Sequence, residues 1–292
     1  MTRRPKGMRK VAEQDVDTDV VADGPMLQGS SDSRQQVSYI DLTDDQYPQR
    51  LRFRKDVVTE LCHLLQPDLE SQTRLRTALS VASKVTIALN FYTNGSFQGA
   101  TADISNIFQF ATHRSIRQVT DTLKKRRRDY ISFPMTREKQ LERATGFFRI
   151  AGFPRVEGAK GYTHVALRAP LTNPETFRHR KGYHSLNVQL ECAHKYQIMV
   201  ADDRYPGSSH DAFILWQTNV PGLFQLPNEG RGWLLGDKGY LLSTWIMTSL
   251  RNTTIPAQHS YNESHATTRN IIEQTIGILK QRFCYLDSSG LR

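Results

Sequence analysis

The 292 residues predict an α/β chain in which an all-helical N-terminal region precedes a mixed sheet. Three observations carry that prediction. Apolar residues recur at helical spacing up to about residue 150, strand-like alternation takes over beyond Gly152, and helical spacing returns in the last stretch before Phe283.

Taken in order, residues 1–38 are polar, with a basic cluster (Arg3, Arg4, Lys6, Arg9, Lys10) ahead of an acidic one (Glu13, Asp15, Asp17, Asp19, Asp23), and are expected to be a disordered charged tail. The basic cluster reads either as a nuclear-import signal or as ordinary tail composition. Residues 39–150 form the helical region. Val57, Val58, Leu61, Leu64 and Leu65 mark one helix, and Leu79, Val81, Val85, Ile87, Ala88 and Leu89 mark a second that Asn94-Gly95 stops. Thr101–Leu123 has the form helix, short turn, helix, with Ile104 and Ile107 on the first arm and Ile116, Val119 and Leu123 on the second. This is either a helix-turn-helix presenting Arg114 and Arg117 to nucleic acid or a plain helical hairpin with a solvated face. Lys124-Lys125-Arg126-Arg127-Arg128 extends the second arm. That run suits DNA phosphate, an import receptor, or simply a helix C-terminus, where cations offset the dipole.

Residues 151–292 form the α/β domain. Val156–Leu167, Tyr183–Cys192 and Gln197–Ala201 are predicted strands, separated by Pro, Asn, Gly and charged turns. A helix is expected over Ser208–Val220 with Ser208 or Ser209 as N-cap. A short strand over Trp233–Gly236 then ends at Asp237, an extended piece covers Thr254–Pro256, and a final helix runs from about His265 to Phe283. Ile272, Ile276, Leu279 and Phe283 lie on one stripe of that helix, with Glu273 at its edge.

The net charge of +10 and pI near 9.6 favour a polyanionic partner, with nucleic acid the foremost candidate. The longest apolar runs fall far short of the roughly 20 residues a membrane helix requires, so no membrane association is expected. No secretory signal is readable. Cys62, Cys192 and Cys284 form no CxxC pair and are expected to be reduced and buried.

Five ordered segments carry a family resemblance: Thr163-His164-Val165-Ala166-Leu167-Arg168-Ala169-Pro170; Arg180-Lys181-Gly182-Tyr183-His184-Ser185-Leu186-Asn187; Tyr205-Pro206-Gly207-Ser208-Ser209-His210-Asp211; Leu234-Leu235-Gly236-Asp237; and Asn270-Ile271-Ile272-Glu273-Gln274. Together with Gly95-Ser96-Phe97-Gln98 they resemble the PIF/Harbinger transposases and the domesticated nucleases derived from them. The resemblance implies an RNase H-like fold and a DDE-type endonuclease domain that hydrolyses DNA phosphodiester bonds. It also implies Mg²⁺ or Mn²⁺ held by Asp211, Asp237 and Glu273. Two-metal hydrolysis needs hard oxygen ligands from several elements around ions about 3.5–4 Å apart. Each carboxylate also has an ordinary reading, as a helix-dipole partner, a turn residue or a surface charge. The resemblance further implies a Myb-like DNA-binding partner that assists nuclear import, and residence in the nucleus and also the cytoplasm. His164, His184 and His210 are candidates to contact phosphate or orient water, or are structural. Arg178, Arg180 and Lys181 either line a substrate channel or form a solvated loop.

The chain departs from the family pattern Gly-Ala-x-Asp-x-Thr-His, because Gly158-Ala159-Lys160-Gly161-Tyr162-Thr163-His164 puts glycine where the first carboxylate belongs. Glu157 shares the strand parity of Gly161 but lies roughly 13 Å away along a strand. Lys160 is directed to the opposite face. The turn around Asn106–Phe110 lacks the glycine and serine of relatives, and relatives continue through more core helix beyond Arg292, as either a truncated copy or an incomplete gene model would explain. Two readings therefore stand: a metal-dependent nuclease without transposition activity, and a catalytically inactive transposase derivative that binds DNA or protein.

Overall fold

The computed structural model describes residues 42–70, 78–95, 101, 108–134, 136–209, 232–240 and 242–287. The N-terminal layer comprises α1 (Gln46–Leu51), α2 (Lys55–Leu69), α3 (Val81–Asn94) and α4 (Gln109–Tyr130). Leu51, Val58, Leu65, Val85, Ile87, Ala88, Ile116 and Val119 recur at helical spacing on these elements and bury together as one core. Ser80 caps α3 by accepting from the Ser83 N–H at 3.1 Å, and Gly95 ends it at φ +62°. The expected Gly95 stop is therefore observed. The second arm of the expected helix-turn-helix is α4, whereas residues 102–107 of the first arm lie outside the described residues.

Helix α5 (Arg137–Ala151) ends at Gly152 with φ +70° and leads into β1 (Val156–Ala166). The short α6 (Pro174–Phe177) precedes β2 (Ser185–Cys192) and β3 (Ile198–Pro206). After the segment 210–231, which lies outside the described residues, come β4 (Trp233–Leu235), β5 (Ile246–Met247) and α7 (Pro256–Arg282). The sheet order is β3-β2-β1-β4-β5. Strands β1 to β3 form an antiparallel meander, while β4 runs parallel to β1, and β5 to β4. The architecture is thus mixed α/β, as predicted. The described residues of the expected Ser208–Val220 helix are Ser208 and Ser209 alone.

Three boundaries differ from expectation. Strand β3 runs five residues past Ala201, because Leu186 and Asn187 of β2 remain paired with Pro206 and Tyr205. The last parallel strand is Ile246–Met247 and not Thr254–Pro256. Two residues give no alternation to read, but Leu234 N–H bonds Trp245 O and Gly236 N–H bonds Met247 O, both at 2.9 Å. The final helix starts at Pro256, nine residues before His265. Proline is pre-organised for the first helical turn, and Gln258 Oε1 accepts from the N–H groups of Thr254 (2.8 Å) and Ile255 (3.4 Å). The polar sequence of that first turn hides it from an apolar-periodicity argument. The cysteines are free; Cys192 is buried, while Cys62 and Cys284 are half-buried, less than expected. Burial pushes the Cys192 thiol up to about 12.

One sheet face packs on α5 and α7 through Phe147, Phe153, Ala159, Leu190, Cys192, Leu235, Ile271, Ile272 and Ile276. The opposite face carries a buried charge pair. Lys160 Nζ lies 3.0 Å from Glu191 Oε1, both side chains are fully buried, and Gln189 Nε2 also donates to Glu191 Oε1 at 3.3 Å. Burial lowers the Lys160 pKa, and the Glu191 charge opposes that shift. Lys160→Met should cost about 3–5 kcal/mol by leaving Glu191 charged and alone, whereas Lys160→Met/Glu191→Leu should recover most of the loss. Urea denaturation of the two variants checks this, and equal losses would contradict the pairing.

The end of α7 is clasped to the N-terminal layer. Phe283 lies 5.8 Å from Phe53, Tyr285 4.9 Å from Phe91, and Arg282 5.2 Å over the Phe53 ring. A Cβ on Gly95 would stand 3.0 Å from the Cys284 carbonyl carbon. Gly95→Ala should therefore destabilise by about 1–3 kcal/mol through its positive φ and this crowding, measured as a lowered thermal midpoint.

Candidate active site

The resemblance placed the site where Asp211 at the head of the helix after the third strand, Asp237 at the end of β4 and Glu273 on α7 converge beside Gly161 of β1. The parallel register sets Ala159 beside Leu235, the last residue of β4, and Asp237 follows two residues beyond the end of that strand. Asp237 is exposed, and its Oδ1 accepts from the Gly239 N–H at 3.0 Å, the turn-residue role that was its ordinary reading. Glu273 lies one residue past the buried Ile272 on α7, with its side chain 53% exposed. Asp211 and His210 lie outside the described residues.

Gly161 faces α7. A Cβ built on it would meet Ile272 Cγ1 at 2.9 Å, Ile272 Cγ2 at 3.4 Å and Ile276 Cδ1 at 3.4 Å. The position is therefore filled by its neighbours, and a larger side chain must displace a fully buried isoleucine. Glu157 is committed elsewhere. Its Oε2 lies 3.3 Å from Arg143 Nη2 and its Oε1 accepts from the Gly232 N–H at 2.7 Å, all buried. Lys160 points to the other face and is taken by Glu191.

Arg269 is the site residue that the sequence reading missed. Its two terminal nitrogens donate to Glu273 Oε1 at 2.8 and 2.9 Å. The i,i+4 spacing on a helix was the available signal. The Arg269 charge also reaches Tyr240 and His265, and His265 in turn feels Asp237. Burial lowers the His265 pKa, while its Nε2 lies 3.1 Å from Met247 O. Among the described residues, no three of His, Cys, Asp and Glu gather as a metal-holding group. A bridging pair of hard cations needs converging oxygens. Gly161 supplies none, and Glu273 shares its Oε1 with a guanidinium, so the described residues do not fit a two-metal centre.

A second cluster lies at the far end of β1. His164 Nδ1 is 3.0 Å from Ser185 Oγ, and its ring centroid lies 4.1 Å from that of His179 in a tilted contact, His179 being another residue not singled out from sequence. Lys280 Nζ donates to His164 O at 2.8 Å. Burial first, then the neighbouring charges of His179, Lys280, Arg180 and Lys181, hold His164 down at about 4 against an ordinary 6.5. Arg178, Arg180 and Lys181 are exposed, and His184 is half-buried, with its carbonyl accepting from the Leu167 N–H.

The description "DDE superfamily endonuclease" matches residues 162–292, beginning one residue past Gly161. Among curated proteins, the "Putative nuclease HARBI1" of Homo sapiens and that of Bos taurus are each 34% identical over 249 residues, 85% of this chain and 71% of theirs. The Arabidopsis thaliana "Protein ALP1-like" is 21% identical over 225 residues, 70% of this chain and 54% of its own. No solved structure matches. This chain belongs to the family of harbinger transposase-derived nucleases, as the resemblance implied.

Two outcomes follow from the geometry. Gly161→Ala should destabilise by about 1–3 kcal/mol through overpacking, with partial relief in Gly161→Ala/Ile272→Ala, a non-additivity measurable in a double-mutant cycle. For His164, the folded pKa lies below the unfolded one, so the unfolded chain binds the extra proton first. Stability should be unaffected by His164 above about pH 6.5 and fall as pH drops from there toward about 4. His164→Asn should flatten that window in urea midpoints measured against pH.

Proposed function

We propose that this chain is a transposase-derived nuclease fold kept as a DNA-binding module, with two-metal hydrolysis of phosphodiester bonds lost. The observation that carries the reading is the packing at Gly161. The first carboxylate is missing, and Ile272 and Ile276 occupy the space its side chain would need. The Arg269 contact to Glu273 supports it, since a guanidinium beside that carboxylate competes with a metal cation. The sheet order, with an antiparallel meander and two parallel strands beyond β1, supports an RNase H-like core. A net charge of +10 supports a polyanionic partner. Family resemblance supports a Myb-like DNA-binding partner, and nuclear as well as cytoplasmic residence.

The rival reading is metal-dependent hydrolysis with Mg²⁺ or Mn²⁺ held by Asp211, Asp237 and Glu273. It is favoured by the exposure of Asp237 and Glu273. A plasmid-nicking assay with Mn²⁺ separates the two. The unaltered chain should leave supercoiled plasmid intact while retarding it in a gel. Nicking by the unaltered chain that disappears in Asp211→Ala would overturn the loss of hydrolysis. Because Gly161 is packed against Ile272, Gly161→Asp alone should not restore nicking and should lower the melting temperature. The informative restoration is Gly161→Asp/Ile272→Ala, compared with the same chain carrying Asp211→Ala.

A further inference from the structure

Helix α4 has two unlike faces. Thr112, Ser115, Ile116, Val119 and Thr122 are buried, and Arg126 is pinned by Asp68 at 2.8 Å, so its orientation on the N-terminal layer is fixed. At 100° per residue, Arg114, Arg117, Lys124, Lys125 and Arg128 fall within an arc of about 100° on the opposite side. All five are exposed. Among the described residues, no carboxylate comes within ion-pair distance of any of them, even though Asp121 and Asp129 lie on the same helix.

Part of this arrangement is unfavourable to the helix by itself, although Asp121 lies at i,i+4 from Arg117 and Lys125 and at i,i+3 from Lys124. Like charges at i,i+3 and i,i+4, as in Lys124/Arg128 and Lys125/Arg128, repel along a helix. The field extends to the neighbouring helix: the Lys84 pKa is lowered by burial and then by Arg114. A solvated helix end accounts for cations in the last turn only, since the dipole effect fades within a turn, and Arg114 and Arg117 lie at the other end. From Arg114 to Arg128 the row spans roughly 21 Å at 1.5 Å per residue. That length covers about six phosphates of one DNA strand, at roughly 3.4 Å of axial rise each. Gln and Asn, the residues suited to adenine edges, are missing from the arc, whose other members on the helix are Phe110 and Asp121.

We infer that the exposed face of α4 is a docking surface for the phosphate backbone of duplex DNA, lying along a strand and holding it without reading its bases. The inference rests on the DNA-binding half of the proposed function, gives it a location away from the Gly161 packing, and does not depend on whether hydrolysis occurs. It differs from a recognition helix, whose N-terminal residues enter the major groove, in engaging cations along the full length of the helix.

The experiment is fluorescence anisotropy of two unrelated 24-base-pair duplexes with the full chain across a salt series. It compares the unaltered chain, Arg117→Gln/Lys124→Gln/Arg128→Gln, and a charge-matched control, Lys139→Gln/Arg149→Gln/Lys195→Gln, with circular dichroism establishing that each is folded. Three lost phosphate contacts should reduce the slope of log K against log salt by about 2–3 and weaken binding at least tenfold at low salt. The loss should be alike on both duplexes, with the control changing the slope by less than about 1. An unchanged slope in the α4 variant, an equal loss in the control, or a loss on one duplex alone would overturn the inference and leave DNA binding intact. Failure of the unaltered chain to bind either duplex would overturn the DNA-binding reading itself. If the α4 variant does not fold, Lys124→Gln/Lys125→Gln in its place should reduce the slope by about 1–2, and an unchanged slope would likewise overturn the inference.

Discussion

The close seat of α7 on β1 governs both the core and the candidate site. Ala159, Gly161 and Thr163 are small and share one face of β1, so the helix approaches near enough for Ile272 to lie against the strand at Gly161. Ile276 completes that contact from the next turn, and Ile271 packs in the same core. Helix geometry then leaves Glu273 about 100° from Ile272, at the rim and in solvent, where Arg269 reaches it from the turn before. The contact that stabilises the core therefore also fills the space beside Gly161. A carboxylate at position 161 would have to displace this packing, so its absence is built into the interior and is more than a missing functional group.

Charge is handled differently inside and outside. The buried ions are partnered: Lys160 with Glu191, and Arg143 with Glu157, which also binds the Gly232 amide. Such pairs rarely add stability over apolar residues of similar size. Lys160 and Glu191 do face each other directly across the β1–β2 ladder, so a one-residue slip would separate both charges in a dry interior. The pair thereby holds the register that puts Gly161 beneath α7. On α4, Arg126 is paired with Asp68, whereas Arg114, Arg117, Lys124, Lys125 and Arg128 have no such partner among the described carboxylates and face solvent, which is where net charge is left over for another molecule.

Much of the architecture was legible because it follows periodicity. Helices α2 and α3, the Gly95 stop, the change to strands beyond Gly152, the three consecutive strands and the short strand before Asp237 come from apolar spacing and turn chemistry. Strand β5 was hidden by its length, and the first turns of α7 by a polar sequence behind a proline. At the site, the sequence located Gly161 as a departure and gave the opposite-face placement of Lys160 by alternation. It did not reveal that the space at Gly161 is closed, because that depends on how deeply a helix more than a hundred residues later seats on the strand. Arg269 was readable by i,i+4 spacing; the contact of His179 with His164 was not, since it depends on how a loop folds back.

Helix α7 is also the element that connects the two cores. Its middle packs on the sheet through Ile271, Ile272 and Ile276, and its end leads into a turn at Cys284–Leu286 that rests on Gly95 with almost no spare room. Phe283 and Tyr285 carry that contact to Phe53 and Phe91, and Tyr92 is hydrogen-bonded in turn to Thr120 on α4. A continuous run of packed side chains therefore joins the strand at Gly161 to the helix bearing the unpaired cations. Packed interiors resist small displacements, so α4 and the β1–α7 seam are held in a fixed relation. If α4 carries a duplex as proposed, the bound DNA meets a nuclease fold whose β1–α7 seam is packed into the same interior.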